Sequence, residues 1–262
     1  MIGKLNGMKE FEKQVVLVSG GLGDIGLAVA NAFLKNGAFV AIADRYSMQE
    51  AHLKLPILAD PTYNIRYHQV DVSSGEEVKR WISEVRNKLG PIAIGIVNAG
   101  KVTLKKLREL SDNEWRSEMS VNLDGAFYMS NGCAKLFVED AIAGKIVFLG
   151  SWAAHAVHAN LPAYSVSKAA IRMLCQSMAL EYAAWGIRVN EIAPGYVNAG
   201  LSRLVWAQNP NMQDKAASVV PLGKIIEADE VAQQVLWICS EKSKHMTGAS
   251  IVLDGGLSLI RP

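Results

Sequence analysis

The chain has little of several things that would settle its chemistry at once. It carries three cysteines, Cys133, Cys175 and Cys239, far apart in the sequence. Without the close pairing of a zinc site or a redox dithiol, they read as buried structural thiols. The five histidines form no helix-spaced or strand-spaced cluster with carboxylates, so no metal site is expected. A net charge of +2, with acids and bases scattered along the chain, leaves no basic stripe for nucleic acid and no acidic tail. No window approaches the roughly 18 uninterrupted apolar residues of a membrane span. The opening "MIGKLNGMKEFEKQ" lacks the apolar core of a signal peptide, so a cytoplasmic protein is expected. No Pro/Gly/Ser-rich linker, repeat or low-complexity tract divides the chain, and a single domain over 1–262 is the economical reading.

What is present is a regular alternation. Half of the residues are hydrophobic, ample for a large core. Apolar, β-branched runs recur at Val15 to Val18, Phe39 to Ala43, Ile65 to Val70, Ile92 to Val97, Ile146 to Leu149, Ile187 to Ile192 and Ile251 to Leu253. Between them lie segments with helical spacing, such as Val78, Ile82, Val85 and Leu89, or Val231, Val235, Leu236 and Cys239. Near-continuous apolar strands alternating with helices predict an α/β fold: a seven-stranded parallel sheet with helices on both faces. Val197 to Pro221, polar and carrying "QNPN" beside Trp206 and Met212, reads as a lid or substrate loop.

The stretch "SGGLGDIG", Ser19 to Gly26, sits between the first strand and a helix, where a glycine turn brings backbone N–H groups and the positive end of a helix against a phosphate. It fits two registers: G-x-G-x-x-G through Gly21, Gly23 and Gly26, or G-x-x-x-D-x-G through Gly20, Asp24 and Gly26. Asp44 ends the second strand 18 residues after Gly26, close to the roughly 20-residue offset at which an acid receives the adenosine ribose hydroxyls. A carboxylate there repels a 2'-phosphate and favours NAD over NADP. Arg45 beside it either holds a 2'-phosphate or lies solvated over the adenine. Asp71 either receives the adenine amino group or caps the helix that follows.

Tyr164 and Lys168 in "YSVSK" are four apart on a helix predicted from about 163 to 184, so they share a face. A phenol with a pKa of about 10 is a poor base near neutrality, but a neighbouring ammonium favours the phenolate. The pair is a candidate proton-transfer unit; alone, it reads first as a tyrosine packed on a lysine stem, and the surrounding motifs reverse that reading.

Together these residues resemble the short-chain dehydrogenase/reductase family over nearly the whole chain. The marks run in order: the glycine loop, "DV" at Asp71 and Val72, "NAG" at Asn98, Ala99 and Gly100, "VNLDG" with Asn122, Ser151, then Tyr164 and Lys168. "RVNEIAPG" from Arg188 to Gly195 and "TGASIVLDGG" from Thr247 to Gly256 complete them. The resemblance implies a single Rossmann-like domain, its cofactor-binding half at about 10–150 and its catalytic and substrate-binding elements at about 151–262, and commonly a homotetramer. Tyr164 would be the general base or acid, Lys168 would lower its pKa and bind the nicotinamide ribose, and Ser151 would hydrogen-bond the reacting oxygen. Asn122 would hold a relay water. NAD would be held by Ser19, Gly20, Gly23, Asp24, Ile25 and Gly26, by Asp44 and Arg45, by Asp71 and Val72, by the Asn98–Gly100 turn, and by Pro194, Gly195 and Val197.

Three departures stand out. Asp24 occupies the usual middle-glycine position, and its carboxylate is expected to turn from the phosphates and bond locally. Ala199 replaces a threonine that would hold the nicotinamide amide, leaving that task to the Val197 backbone or the Ser202 hydroxyl. Gly150 replaces a common serine, with little expected consequence. Between Ser151 and Tyr164 the sequence "WAAHAVHANLPA" offers Trp152, His155, His158 and Asn160, which together with Arg203 from the lid suggest a hydrophilic secondary alcohol or ketone such as a sugar or polyol. His155 either touches the substrate or is satisfied elsewhere. The competing readings are a 3-oxoacyl or other carbonyl reductase, usually NADP-dependent, and a non-catalytic NAD-binding regulator.

Overall fold

Seven parallel strands form one sheet in the order β3-β2-β1-β4-β5-β6-β7, in a computed structural model that describes residues 9–260 apart from 201, 204, 205 and 207–209. The strands are β1 (Val15–Ser19), β2 (Phe39–Asp44), β3 (Ile65–Gln69), β4 (Ile92–Val97), β5 (Lys145–Leu149), β6 (Arg188–Pro194) and β7 (Ser250–Leu253). Each overlaps its expected run, with ends differing by one or two residues.

Successive strand residues point to opposite faces, so both faces need cover. Val16, Val18, Val40, Ile42, Ile94 and Ile96 face one core, closed by Val29 and Phe33 of α1 (Asp24–Lys35) and by the last helix, Ala228–Cys239. Val15, Leu17, Ala41, Ala43, Ile146 and Phe148 face the other. That core is closed by α3 (Gly75–Leu89), α5 (Gly125–Glu139) and α6 (Pro162–Tyr182), which bring Trp81, Phe137 and Ile171. Short α2 (Met48–Lys54) and α4 (Asp112–Met119) complete the set before β5. Cys133, Cys175 and Cys239 lie in these cores as expected, and burial pushes each thiol up to about 12.

The sheet order reverses between β1 and β4, where the chain returns from the β3 edge, and a crevice opens there beyond the carboxyl ends of the strands. The glycine loop after β1, Asp44, the Asn98 turn after β4, Ser151 after β5 and Pro194 at the end of β6 all stand at that edge. The interval 197–221 contains no described strand, as expected. It does contain a helix, α7 (Pro210–Ser218), which its polar composition did not foretell; Ala228–Cys239 is therefore α8. Among the described residues, no helix is long and apolar enough to cross a membrane.

Candidate active site

The glycine loop is built by steric need. Gly20 takes φ +63°, and a Cβ there would stand 2.9 Å from Ala99 Cα; a Cβ on Gly26 would stand 2.2 Å from the Gly20 carbonyl oxygen. Gly20 is glycine for the turn and for lack of room, Gly26 for lack of room alone. Gly21 is equally constrained, since its Cβ would fall 2.4 Å from Ile42 Cβ, so glycines of both registers are required by packing. Gly23 caps α1 without a side-chain hydrogen bond, which leaves the first-turn N–H groups available to an anion.

Asp24 opens α1, and its expected local bond is corrected. One carboxylate oxygen accepts from the Gly200 N–H at 2.6 Å and the other pairs with Arg203 at 2.7 Å, joining the phosphate loop to the start of the lid. Arg203, expected at the substrate, is engaged there instead. Ser19, expected at the cofactor, is buried: its hydroxyl accepts from the Asn98 and Ala99 N–H groups at 3.0 and 3.1 Å and ties β1 to the β4 turn. Asn98 reinforces the tie, its amide donating to the Ser19 and Gly20 carbonyls. Asp44 accepts from the Leu22 and Arg45 N–H groups at 3.1 and 2.8 Å and so holds the glycine loop against the end of β2. The helix after β3 is capped by Ser74, not by Asp71, which accepts from Ser73 in the preceding turn. Val72 is buried against Gly125.

The reacting end assembles around α6, started by Pro162 at its first position, where a missing N–H costs nothing. Lys168 lies one turn beyond Tyr164, with Nζ 5.5 Å from the tyrosine ring centroid, and it donates to the Leu149 carbonyl at 2.7 Å. Burial pulls Lys168 down to about 8, against the attraction of Glu191 and Glu118. Burial raises the Tyr164 phenol; the Ser151 hydroxyl beside it works the other way, and Glu118 raises it further. Ser151 is itself buried and accepts from the Ala153 N–H at 3.2 Å.

Asn122 lies in a π-helical turn, Ser120–Asp124, between α4 and α5. Its amide clasps the Lys101 backbone, accepting from N–H at 2.7 Å and donating to C=O at 2.9 Å, and also donates to Ser167 Oγ at 3.0 Å. The turn after β4 is thereby fixed to α6. Trp152 meets His158 and Tyr196 edge-on, with ring centroids 5.7 and 5.5 Å away. His155 is occupied elsewhere. The Arg172 guanidinium, always a donor, contacts Nδ1 at 3.1 Å, which leaves Nε2 to donate to Ser250 Oγ at 3.3 Å. Val197 forms an isolated parallel bridge with Ile226, and its carbonyl accepts from the Ala199 N–H. Gly195 is closed against Asp254, where a Cβ would stand 2.8 Å from Asp254 Cα. Part of the expected lid, residues 201, 204, 205 and 207–209, lies outside the described residues.

The family model described as enoyl-(acyl carrier protein) reductase matches residues 21–258. The chain belongs to the short-chain dehydrogenase/reductase family. This short-chain dehydrogenase/reductase is 30% identical to an NADP-dependent (R)-specific alcohol dehydrogenase of Lentilactobacillus kefiri, over 93% of this chain and 96% of that one. It is 30% identical, with the same two coverages, to a 3-oxoacyl-[acyl-carrier-protein] reductase of Chlamydia pneumoniae. A short-chain type dehydrogenase/reductase from Mycobacterium marinum superposes with a TM-score of 0.87 at 28% identity, over 95% of this chain and 97% of that one. In this short-chain dehydrogenase/reductase, sequence reasoning missed Tyr196, Glu118 and Glu191. Tyr196 was legible in the "PGYV" turn. The two glutamates gave no signal, because each lies in a segment whose burial depends on tertiary packing.

Proposed function

We propose that this oxidoreductase transfers a hydride between NAD and a hydrophilic secondary alcohol or ketone, a sugar, polyol or related compound. The observation that carries the reading is the convergence of Tyr164, Lys168, Ser151 and Asn122 beyond β4 and β5, with Lys168 Nζ 5.5 Å from the tyrosine ring. The donor set suits a dinucleotide: uncapped N–H groups at the start of α1 for the pyrophosphate, Asp44 for the adenosine ribose, and Lys168 for the nicotinamide ribose. Both Asp44 oxygens keep a lone pair for a ribose hydroxyl after accepting Leu22 and Arg45. The bound cofactor supplies the hydride acceptor for oxidation and the donor for reduction.

Tyr164 Oη takes the proton of the alcohol, or returns it to the ketone oxygen. The Lys168 ammonium stabilises the phenolate formed, and Ser151 Oγ donates to the reacting oxygen as charge develops there. Asn122 fixes the Lys101 backbone to α6 and frames the water path by which Lys168 exchanges its proton. Trp152, His158 and Tyr196 form an aromatic wall with polar tips, suited to a hydroxylated substrate. A cytoplasmic homotetramer accompanies this reading.

One observation favours a second reading, an NADP-dependent carbonyl or 3-oxoacyl reductase. Arg45 stands beside Asp44 and makes no ion pair with a described residue, free to meet a 2'-phosphate. Purified protein with NAD or NADP and a panel of sugars, polyols, hydroxy acids and hydroxyacyl thioesters separates the two. Turnover confined to NADP overturns the Asp44 argument, and none with any substrate supports a non-catalytic role. Tyr164→Phe should lower kcat by at least about 10³-fold while cofactor binding, read by fluorescence titration, persists; an active variant removes Tyr164 from proton transfer.

A further inference from the structure

Glu191 is a fully buried carboxylate in the middle of β6, and among the described residues neither of its oxygens closes a well-formed hydrogen bond. Its room is made by Gly150, where a Cβ would fall 1.8 Å from Glu191 Oε1. The residue before Gly150 is Leu149, whose carbonyl receives Lys168 Nζ at 2.7 Å. Glu191 and Lys168 thus meet the same two-residue step at the end of β5, the carboxyl at Gly150 and the ammonium at the Leu149 carbonyl.

The groups around it have one sense. From α6, Lys168 and Arg172 bring positive charge and Cys175 a thiol held neutral by burial; from β7, Ser250 brings a hydroxyl. Arg172 donates to His155 Nδ1, so His155 donates to Ser250 Oγ and links α6 to β7. Burial pushes the Glu191 carboxyl up, opposed by Ser250, Arg172 and Lys168. Lys168 faces Glu191 on one side and Tyr164 and the buried Glu118 of α4 on another, Glu118 lying beside Thr103 and Lys101.

Resting on the catalytic reading of Tyr164 and Lys168, we infer that Glu191 is a positioning residue for that chemistry: its carboxylate, admitted by Gly150, is the buried counter-charge that keeps Lys168 an ammonium. Without it, the balance between the two singly deprotonated forms shifts from phenolate with ammonium toward neutral phenol with neutral lysine. The sign follows. Removing a negative charge eases loss of the first proton, so the rising limb of kcat/KM for alcohol oxidation moves to lower pH. The plateau falls because the productive tautomer is depopulated.

The test is the pH profile of Glu191→Gln, with Glu191→Asp and Tyr164→Phe beside it. Glu191→Gln should move the limb down by about one pH unit and lower plateau kcat about tenfold, with the alcohol KM little changed. Glu191→Asp should recover most of both. An unmoved limb, with or without loss of rate, overturns the inference and leaves Glu191 as filling for the space above Gly150. An active Tyr164→Phe instead overturns the catalytic reading, so the two failures are told apart.

Discussion

Position 150 shows how a single absent side chain can be read only with its neighbours in place. The expectation that glycine for serine changes little does not survive, because the volume a serine would take holds the Glu191 carboxyl. Gly150→Ser should destabilise the protein by about 1–3 kcal/mol through overpacking, and adding Glu191→Ala should return most of it; denaturant unfolding of the parent and the two variants checks this. Tyr164 and Lys168 were legible because spacing along one helix fixes their neighbourhood locally. Glu191 was not, because a charged residue in an apolar run reads as a strand edge until α6 is packed over it. Which of its two readings His155 would take, and where Arg203 would pair, could not be read locally, because their partners, Arg172, Ser250 and Asp24, come from distant parts of the chain.

Among the elements, the junction of α1 with the lid has the clearest kinetic role. Asp24 accepts from Gly200 and pairs with Arg203, so the glycine loop proposed to hold the cofactor phosphates also fastens the start of the proposed lid. Arg203 is 57% exposed, so the pair adds little to folding stability. Its effect belongs to opening. Asp24→Ala should leave the melting temperature within about 2 °C of the parent yet speed cofactor release several-fold, measured by stopped-flow displacement. Release as slow as in the parent would mean that the lid lifts without breaking this contact. The helix α7 within the lid was hidden by its polar composition, whereas α3, with Val78, Trp81, Ile82 and Val85 on one face, was plain in the periodicity.

For the molecule as a whole, alternation of strand and helix made the parallel, two-faced sheet legible, since each apolar run had to be covered on both sides. The strand order was not legible, because nothing in a local period tells β1 to lie between β2 and β4. The proposed assembly has a candidate surface in what the single chain leaves uncovered. Val166, Met173 and Leu180 recur every seven residues along the outer side of α6, 49%, 60% and 84% exposed, with Phe127 of α5 also exposed. An apolar stripe of this kind suits a helix pair about a two-fold axis. Met173→Glu with Leu180→Glu should reduce the assembled mass seen by light scattering to that of a smaller oligomer, while a parent already of monomer mass would remove the stripe as an interface. The inner side of that same helix holds Tyr164 and Lys168 in register. The proposed subunit association and the proposed proton transfer would then share one rigid rod, and mass action would enter the rate: specific activity should fall on dilution below the subunit dissociation constant, although no partner residue is required to complete the chemistry.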